Sequence, residues 1–131
     1  MSLIENLIDI ALANKKNSYS PYSKFRVSAV VRTEDGEIFK GVNIENASYP
    51  VGICAERSAL AAAISTGKRS FSHIVIVGDS SYTYPCGMCR QFIGEFANES
   101  TKLVIAKDKY DYKLYSIKEL LPQGFSKEDL K

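Results

Sequence analysis

Three cysteines and one glutamate are the residues in this sequence whose types and spacing could do chemistry. Cys86 and Cys89 stand three residues apart behind Pro85, a spacing that lets both sulfurs reach one tetrahedral metal ion at the start of a helix. Cys54 can supply a third sulfur from the start of an earlier helix. No fourth cysteine follows, and the only histidine is His73. Three thiolates with one open position indicate a catalytic zinc ion rather than a structural one.

Glu56 lies two residues after Cys54, where a carboxylate can take a proton from an activated water and return it to a substrate. Zinc with three thiolates keeps a net negative charge, which makes such a water less acidic unless positive groups offset it. Arg57 and the N-termini of the two helices are the candidates for that offset. Arg57 can also hydrogen-bond a ligand sulfur.

Each of these residues also has an ordinary structural interpretation. Free cysteines are often buried core residues, and a glutamate or arginine on a helix is usually solvated. The alternatives lose weight because the residues occur together in a fixed pattern. Zinc-dependent deaminases carry H-x-E followed by P-C-x-x-C, and cysteine is allowed in place of the histidine. The sequence has C-A-E at 54–56 and P-C-G-M-C at 85–89, which matches that variant.

The elements that must position these residues follow the order α-β-β-α-β-α-β-β. The pattern predicts a three-layer α/β/α sandwich on a mixed five-stranded sheet. We expect helices over 2–15, over 54–64 with Gly67 at its end, and from Cys86 onward, with shorter helical pieces over 117–121 and 126–130. We expect strands over 25–32, 37–44, 73–78, 103–106 and 113–115, with a turn at 34–36 between the first two.

Length and composition fit one globular domain over residues 1–131, with 45% apolar and 24% charged residues. The net charge of +2 comes from interspersed residues without a basic stripe, which argues against a nucleic-acid partner and favours a small substrate. Glu5 and Asp9 interrupt the apolar N-terminal helix, so it predicts neither a signal peptide nor a membrane span. We therefore expect a cytoplasmic protein, in which three cysteines serve metal binding rather than disulfides.

Beyond the two motifs, the chain resembles the small, homotetrameric cytidine deaminase family across nearly its whole length. The matching segments are PYSKF at 21–25, GVNIENASY at 41–49, CAER at 54–57, PCGMCRQ at 85–91, LLP at 120–122 and FSKEDL at 125–130. Two residues depart from the family pattern: Tyr84 replaces a small serine and Met88 replaces an alanine. These departures leave the zinc ligands intact and affect the packing around the helix that follows.

The resemblance implies zinc-dependent hydrolytic deamination of cytidine and deoxycytidine to uridine and deoxyuridine plus ammonia, a reaction of pyrimidine salvage. It also implies one zinc per chain and a homotetramer whose active sites are shared between subunits. The resemblance further implies that Asn43 and Glu45 bind the ribose and that Phe25 packs on the pyrimidine. It implies that the Ala55 backbone and Glu56 contact the polar edge of the base. The implied contacts with a neighbouring subunit's site are made by Ala47, Tyr49 and Phe125.

Other interpretations remain open on the sequence alone. Asn43 and Glu45 could simply end a strand and begin a turn, and Phe25 and Phe125 could be core aromatics. His73 precedes a buried strand, and we expect it to be structural. The enzyme could act on another cytosine-like compound, such as a nucleoside antibiotic. A zinc-stabilised module for single-stranded nucleic acid is a third possibility, although it would need a basic groove with aromatic platforms.

Overall fold

A computed structural model describes all 131 residues, and it contains a five-stranded sheet with helices on both faces. The helices are α1 (Leu3–Asn14), α2 (Ala55–Ser65), α3 (Gly87–Phe96) and α4 (Ile117–Leu120). The strands are β1 (Val27–Thr33), β2 (Ile38–Val42), β3 (Phe71–Gly78), β4 (Lys102–Asp108) and β5 (Asp111–Tyr115). Short 3₁₀ turns occupy Lys15–Asn17, Tyr49–Val51 and Lys127–Leu130.

The strand order across the sheet is β2-β1-β3-β4-β5, and only β3 and β4 run parallel. Successive side chains of a strand point to opposite faces, and β1 shows this directly. Ala29 and Val31 pack in the core beneath α2 and α3, whereas Val30 packs in a second core beneath α1. The sheet therefore separates two apolar cores, and the predicted three-layer sandwich is confirmed.

Helix α1 covers one face of the sheet with a single apolar stripe. Its buried residues Leu7, Ile8 and Ala11 recur at helical spacing. The Ser2 side chain caps the helix by accepting a hydrogen bond from the Glu5 backbone N–H at 3.2 Å, as expected for a serine in this position. None of the helices combines the length and the apolar character that a bilayer crossing requires.

Helix α2 lies against β2 at backbone contact, and this contact requires a glycine at position 41. A Cβ atom built on Gly41 would lie 2.5 Å from the Ala55 carbonyl oxygen and closer still to the Ala59 nitrogen. The close approach fixes the first turn of α2 relative to the sheet. Since that turn follows Cys54 directly, the position of the cysteine depends on this packing.

Two predicted boundaries differ from the observed ones for identifiable reasons. The first strand begins at Val27 rather than at residue 25, because the Phe25 and Arg26 backbone N–H groups donate to side chains of Ser23 and Asp79 instead of a neighbouring strand. The second strand ends at Val42 rather than at residue 44, because Ile44 leaves the ladder and forms isolated bridges elsewhere. Both differences lie at the edge of the site described next.

Candidate active site

The three cysteines meet where the N-termini of α2 and α3 face each other. Cys54 is the N-cap of α2, Cys86 is the N-cap of α3, and Cys89 lies buried in the first turn of α3. Their sulfur atoms all lie within 4.8 Å of one another, with 3.8 Å between the Sγ atoms of Cys54 and Cys86. The Cys86 sulfur also accepts a hydrogen bond from the Cys89 backbone N–H at 3.5 Å. The predicted three-sulfur cluster is thus present in the fold.

The surroundings of the cluster favour thiolate at Cys54. A hydrogen bond from the Cys89 thiol and the nearby Arg57 guanidinium lower the pKa of Cys54 to about 5, against the opposing effect of burial. The Arg57 Nη2 lies 3.9 Å from the Cys54 Sγ. Conversely, donation to Cys54 and burial raise the pKa of Cys89. The positive ends of two helices add to the same field. A converging set of three sulfurs that already stabilises one thiolate fits Zn²⁺, which binds thiolate readily.

Glu56 occupies the second position of α2, and only 3% of its surface is exposed. Burial raises the pKa of its carboxyl group, and the negative charge of Cys54 acts in the same direction. Despite its burial, Glu56 lines the same cavity as Cys54 and Cys86. A carboxyl group of raised pKa beside a metal site is suited to take up a proton and release it again.

A cavity of about 740 Å³ opens in front of the cluster, a volume within the usual range for a small-molecule site. Its lining combines aromatic, polar and sulfur-bearing side chains. Eight of the predicted site residues contribute to it: Phe25, Asn43, Glu45, Tyr49, Cys54, Glu56, Arg57 and Cys86. The structure therefore brings residues from the loop before β1 to the start of α3 into one site.

The segment over residues 18–26, called the 18–26 segment below, contributes Tyr22, Ser23 and Phe25 to the cavity wall. Asn43 holds it with its whole amide: the oxygen accepts from the Ser18 hydroxyl and the Val27 N–H, and the nitrogen donates to the Phe25 carbonyl at 2.9 Å. Glu45 accepts backbone N–H bonds from Tyr22 and Ser23, each at 3.0 Å. Both residues thus build the wall as well as face the cavity.

The remaining predicted residues lie behind or beside the cavity. Cys89 contributes its sulfur from behind Cys86, and Ala55 is fully buried as the first residue of α2. Ala47 and Phe125 do not line the cavity of their own chain. Phe125 is 60% exposed, and its carbonyl accepts a hydrogen bond from the Gln91 side chain at 2.8 Å. His73 lies away from the site and hydrogen-bonds Ser72.

The sequence assigned no role to Tyr22 and Ser23 beyond the family match over 21–25, and so missed their place in the cavity wall. Tyr22 and Ser23 line the cavity, and so does Tyr84, which lies next to the cysteine motif. The Tyr84 hydroxyl is 2.6 Å from that of Tyr115, so the ring that replaces a smaller residue is fixed against β5. No local signal in the sequence indicates these contacts, since their partners lie more than twenty residues away.

Three sulfurs, a buried carboxyl group and a cavity of small-molecule size on an α/β/α sandwich are typical of a zinc-dependent hydrolase that acts on small molecules. Residues 1–106 match the family described as the cytidine and deoxycytidylate deaminase zinc-binding region, and the chain belongs to this family. It is 44% identical over 128 residues to the cytidine deaminase of Sporosarcina psychrophila, and the match covers 97% of this chain and 94% of that protein. It is 43% identical to a probable cytidine deaminase of Dictyostelium discoideum, over 97% of this chain and 86% of that protein.

Solved structures agree with the sequence relatives. The crystal structure of cytidine deaminase from Burkholderia pseudomallei matches with a TM-score of 0.88 and 39% identity, covering 95% of this chain and all of that one. The cytidine deaminase from Mycobacterium leprae matches with a TM-score of 0.78 and 34% identity, over 94% of this chain. The expected family and fold are confirmed by both kinds of comparison.

Proposed function

We propose that this protein hydrolyses cytidine and deoxycytidine to uridine and deoxyuridine, with release of ammonia. The observation that carries the proposal is the position of Glu56, buried in the wall of one cavity beside three sulfurs that lie within 4.8 Å of one another. The relatives named cytidine deaminase support the choice of substrate. In the reaction a C4–O bond forms from water and the C4–N4 bond breaks.

Cys54, Cys86 and Cys89 are the residues that would hold zinc, about one ion per chain. When bound there, zinc supplies Lewis-acid activation of the water that attacks the pyrimidine ring. The two helix N-termini and Arg57 offset the negative charge that three thiolates bring. Arg57 acts here as a partner of the Cys54 sulfur, and its substitution by alanine should impair catalysis more than substitution by glutamine.

Glu56 is the proposed general acid–base. Its carboxylate takes a proton from the attacking water, passes it to the ring nitrogen N3, and serves the departing amino group in the same way. Burial favours this exchange because it keeps the pKa of the carboxyl above its ordinary value. The low polarity around Glu56 also strengthens its hydrogen bonds to the base, to which the Ala55 backbone adds a contact.

The cavity wall supplies the proposed nucleoside contacts. Phe25 is half-buried at the cavity and offers a ring face on which the pyrimidine can pack. Asn43 and Glu45 lie together at the 18–26 segment, where the second amide N–H of Asn43 and the Glu45 carboxylate can bind the ribose hydroxyls. Each carboxylate oxygen has two acceptor sites, so the contacts that Glu45 already makes leave capacity for a substrate hydroxyl.

The proposed active unit is a homotetramer with sites completed across subunits. Tyr49 is 75% exposed and Phe125 is 60% exposed, so both rings are available for contact with a neighbouring chain. Ala47 and Phe125 do not line the cavity of their own chain, so a role in substrate binding would involve a neighbouring chain's cavity. Phe125→Ala should raise KM with zinc content unchanged, and light scattering at the assay concentration should show a tetramer. A fully active monomer would contradict the shared site.

We place the reaction in pyrimidine salvage in the cytoplasm. The three cysteines are free, and a cluster of free thiols persists in the reducing conditions of that compartment. We expect no nucleic-acid partner, because the charges are balanced and interspersed.

A substrate panel tests the proposal directly. The purified protein is incubated with cytidine, deoxycytidine, CMP and blasticidin S, and ultraviolet absorbance follows the loss of the amino group. We expect turnover of the two free nucleosides and little of the others. Exclusive turnover of blasticidin S would move the enzyme to the antibiotic-deaminating class. Salt-dependent binding of a single-stranded oligonucleotide without any turnover would favour the binding module instead.

A further inference from the structure

The Ser23 side chain joins the two parts of the cavity wall that face a nucleoside. Its hydroxyl donates to the Glu45 carboxylate oxygen Oε2, and its oxygen accepts the Phe25 backbone N–H at 3.0 Å. Glu45 and Phe25 both line the cavity, and so does Ser23. The Ser23 hydroxyl therefore links the Glu45 carboxylate, which we propose binds the sugar, to the backbone of Phe25, whose ring we propose packs on the base.

The backbone around Ser23 is shaped for this double contact. Lys24 has a φ of 59°, a left-handed conformation that a lysine adopts only at an energetic cost. The turn is closed by the Lys24 N–H, which donates to the Ser20 carbonyl at 3.0 Å. After it, Arg26 is held by Asp79 through three hydrogen bonds. Arg26 thus fixes the chain after Phe25, and on the other side the Ser23 hydroxyl holds the Phe25 backbone N–H.

All the hydrogen bonds that the Glu45 carboxylate accepts come from the 18–26 segment. Its Oε1 accepts the Tyr22 and Ser23 N–H groups, and the Ser23 hydroxyl is the partner of Oε2. These bonds hold the pKa of Glu45 below its ordinary value, with the Ser23 hydroxyl as the first cause. The backbone bonds persist in any variant of Ser23, so only the orientation of Oε2 depends on the side chain.

We infer that Ser23 is a positioning residue that couples recognition of the sugar by Glu45 to placement of the Phe25 ring. The inference rests on the proposed function, because it assigns Glu45 to the ribose and Phe25 to the base. Ser23 itself contacts neither the cysteines nor Glu56. Its loss therefore affects how the nucleoside binds and leaves the chemical step in place.

Steady-state kinetics of Ser23→Ala with two substrates test this coupling. For cytidine we expect KM to rise about 5- to 20-fold, as for one lost hydrogen bond at an exposed position where water partly replaces it, with kcat within about twofold. For 2′,3′-dideoxycytidine, which lacks the 2′- and 3′-hydroxyls, the rise relative to wild type should be several-fold smaller. Ser23→Thr keeps a hydroxyl, and position 23 is exposed, so KM for cytidine should return to within about twofold of wild type.

Controls separate positioning from folding. Ser65→Ala alters an exposed serine at the end of α2 and should leave both constants unchanged. Zinc content and thermal unfolding should match wild type in every variant. Equal increases of KM for both nucleosides, an unchanged KM for cytidine, or a threonine variant that behaves like alanine would each overturn the coupling. If the wild-type protein were inactive on cytidine, that result would instead contradict the proposed function, and this inference would fail with it.

Discussion

The cavity has two ends that are constructed in different ways. The sulfur end consists of Cys54, Cys86, Cys89 and Glu56, and each of these residues lies in or next to the first turn of a helix. The loop end consists of the 18–26 segment together with Asn43 and Glu45. Its parts are held by side-chain hydrogen bonds that span 16 to 25 residues of sequence. Local helix geometry positions the proposed chemistry, whereas long-range polar contacts position the proposed recognition.

This difference predicts different responses to mutation. The three sulfurs that we propose as ligands of one metal ion should act as a unit, so the loss of one of them should disable the whole sulfur end. The loop end has several partly redundant hydrogen bonds, each worth little by itself. We therefore expect large losses of kcat from changes at the sulfur end and moderate rises of KM from changes at the loop end.

The largest effect should follow removal of a metal ligand. Cys89→Ala deletes the buried sulfur behind Cys86, and we expect both zinc and activity to fall to background. Metal analysis by plasma emission, together with the rate on cytidine, measures the two losses on one sample. An active variant, or an active wild type without zinc, would contradict the assignment of the three sulfurs.

Glu56→Gln should retain zinc and lose about 10²- to 10⁴-fold in kcat, since the amide has the shape of the acid but cannot exchange the proton. Glu95→Gln makes the same chemical change at an exposed position of α3 and serves as its control. Turnover of Glu56→Gln near the wild-type value, with zinc bound, would remove Glu56 from the proposed role.

Gly41→Ala tests whether the sulfur end depends on the close contact between α2 and β2. The added methyl group would meet the Ala55 and Ala59 backbones, which cannot move without displacing α2. We expect the free energy of unfolding to fall by about 1–3 kcal/mol or more, and zinc affinity to fall with it. Gly87→Ala is the matched control, because a Cβ there meets no atom within 4 Å. Equal denaturation midpoints for the two variants would show that the stability of the fold does not depend on the close contact between α2 and β2.

Part of the sulfur end and the layer order could be predicted from short-range patterns in the sequence. These patterns are the spacing of Cys86 and Cys89 along one helical turn, and the alternation of residues such as Ala29 and Val30 along a strand. Cys54 is distant in sequence from Cys86, and the match to the deaminase motif predicted that the two lie together. Family resemblance then supplied the expected roles of Asn43 and Glu45. Those side chains do line the cavity, and their roles toward the ribose remain predictions.

The loop end could not be derived from local patterns. Serines at 18 and 23 are typical of any turn, and nothing near them shows that their hydroxyls meet Asn43 and Glu45. Phe25 and Arg26 looked like the start of a strand because their side chains suit one. Their N–H groups are instead taken by side chains, and that choice depends on the tertiary fold.

Asn43→Ala should produce an intermediate effect at the loop end. The change removes the amide that holds Ser18, Phe25 and Val27, and it also removes a proposed ribose contact. We expect KM for cytidine to rise about tenfold or more, with a smaller change of kcat. Asn17→Ala, at an exposed position before the segment, should leave both constants near wild type. A loss confined to kcat would contradict the division between the two ends.

The smallest effect should come from Asp79→Asn, which weakens the outer anchor of the 18–26 segment. Hydrogen bonds from Arg26, followed by the ion pair with Lys15 at 3.1 Å, hold the pKa of Asp79 well below its usual range. A depressed pKa in the folded protein means that the carboxylate stabilises the fold above its unfolded-state pKa of about 4.

The stabilisation by Asp79 is therefore complete at neutral pH and is lost as the pH falls below about 4. Surface ion pairs typically contribute about 1 kcal/mol or less and are weakened by salt. Urea unfolding of wild type and Asp79→Asn should thus differ modestly at pH 7, less at high salt, and least in acid. Glu99→Gln breaks a more exposed pair with Lys118 and should have a still smaller effect. A difference between wild type and Asp79→Asn that grows as the pH falls would reverse the assigned sign, because only a group that binds its proton more tightly in the folded state behaves in that way.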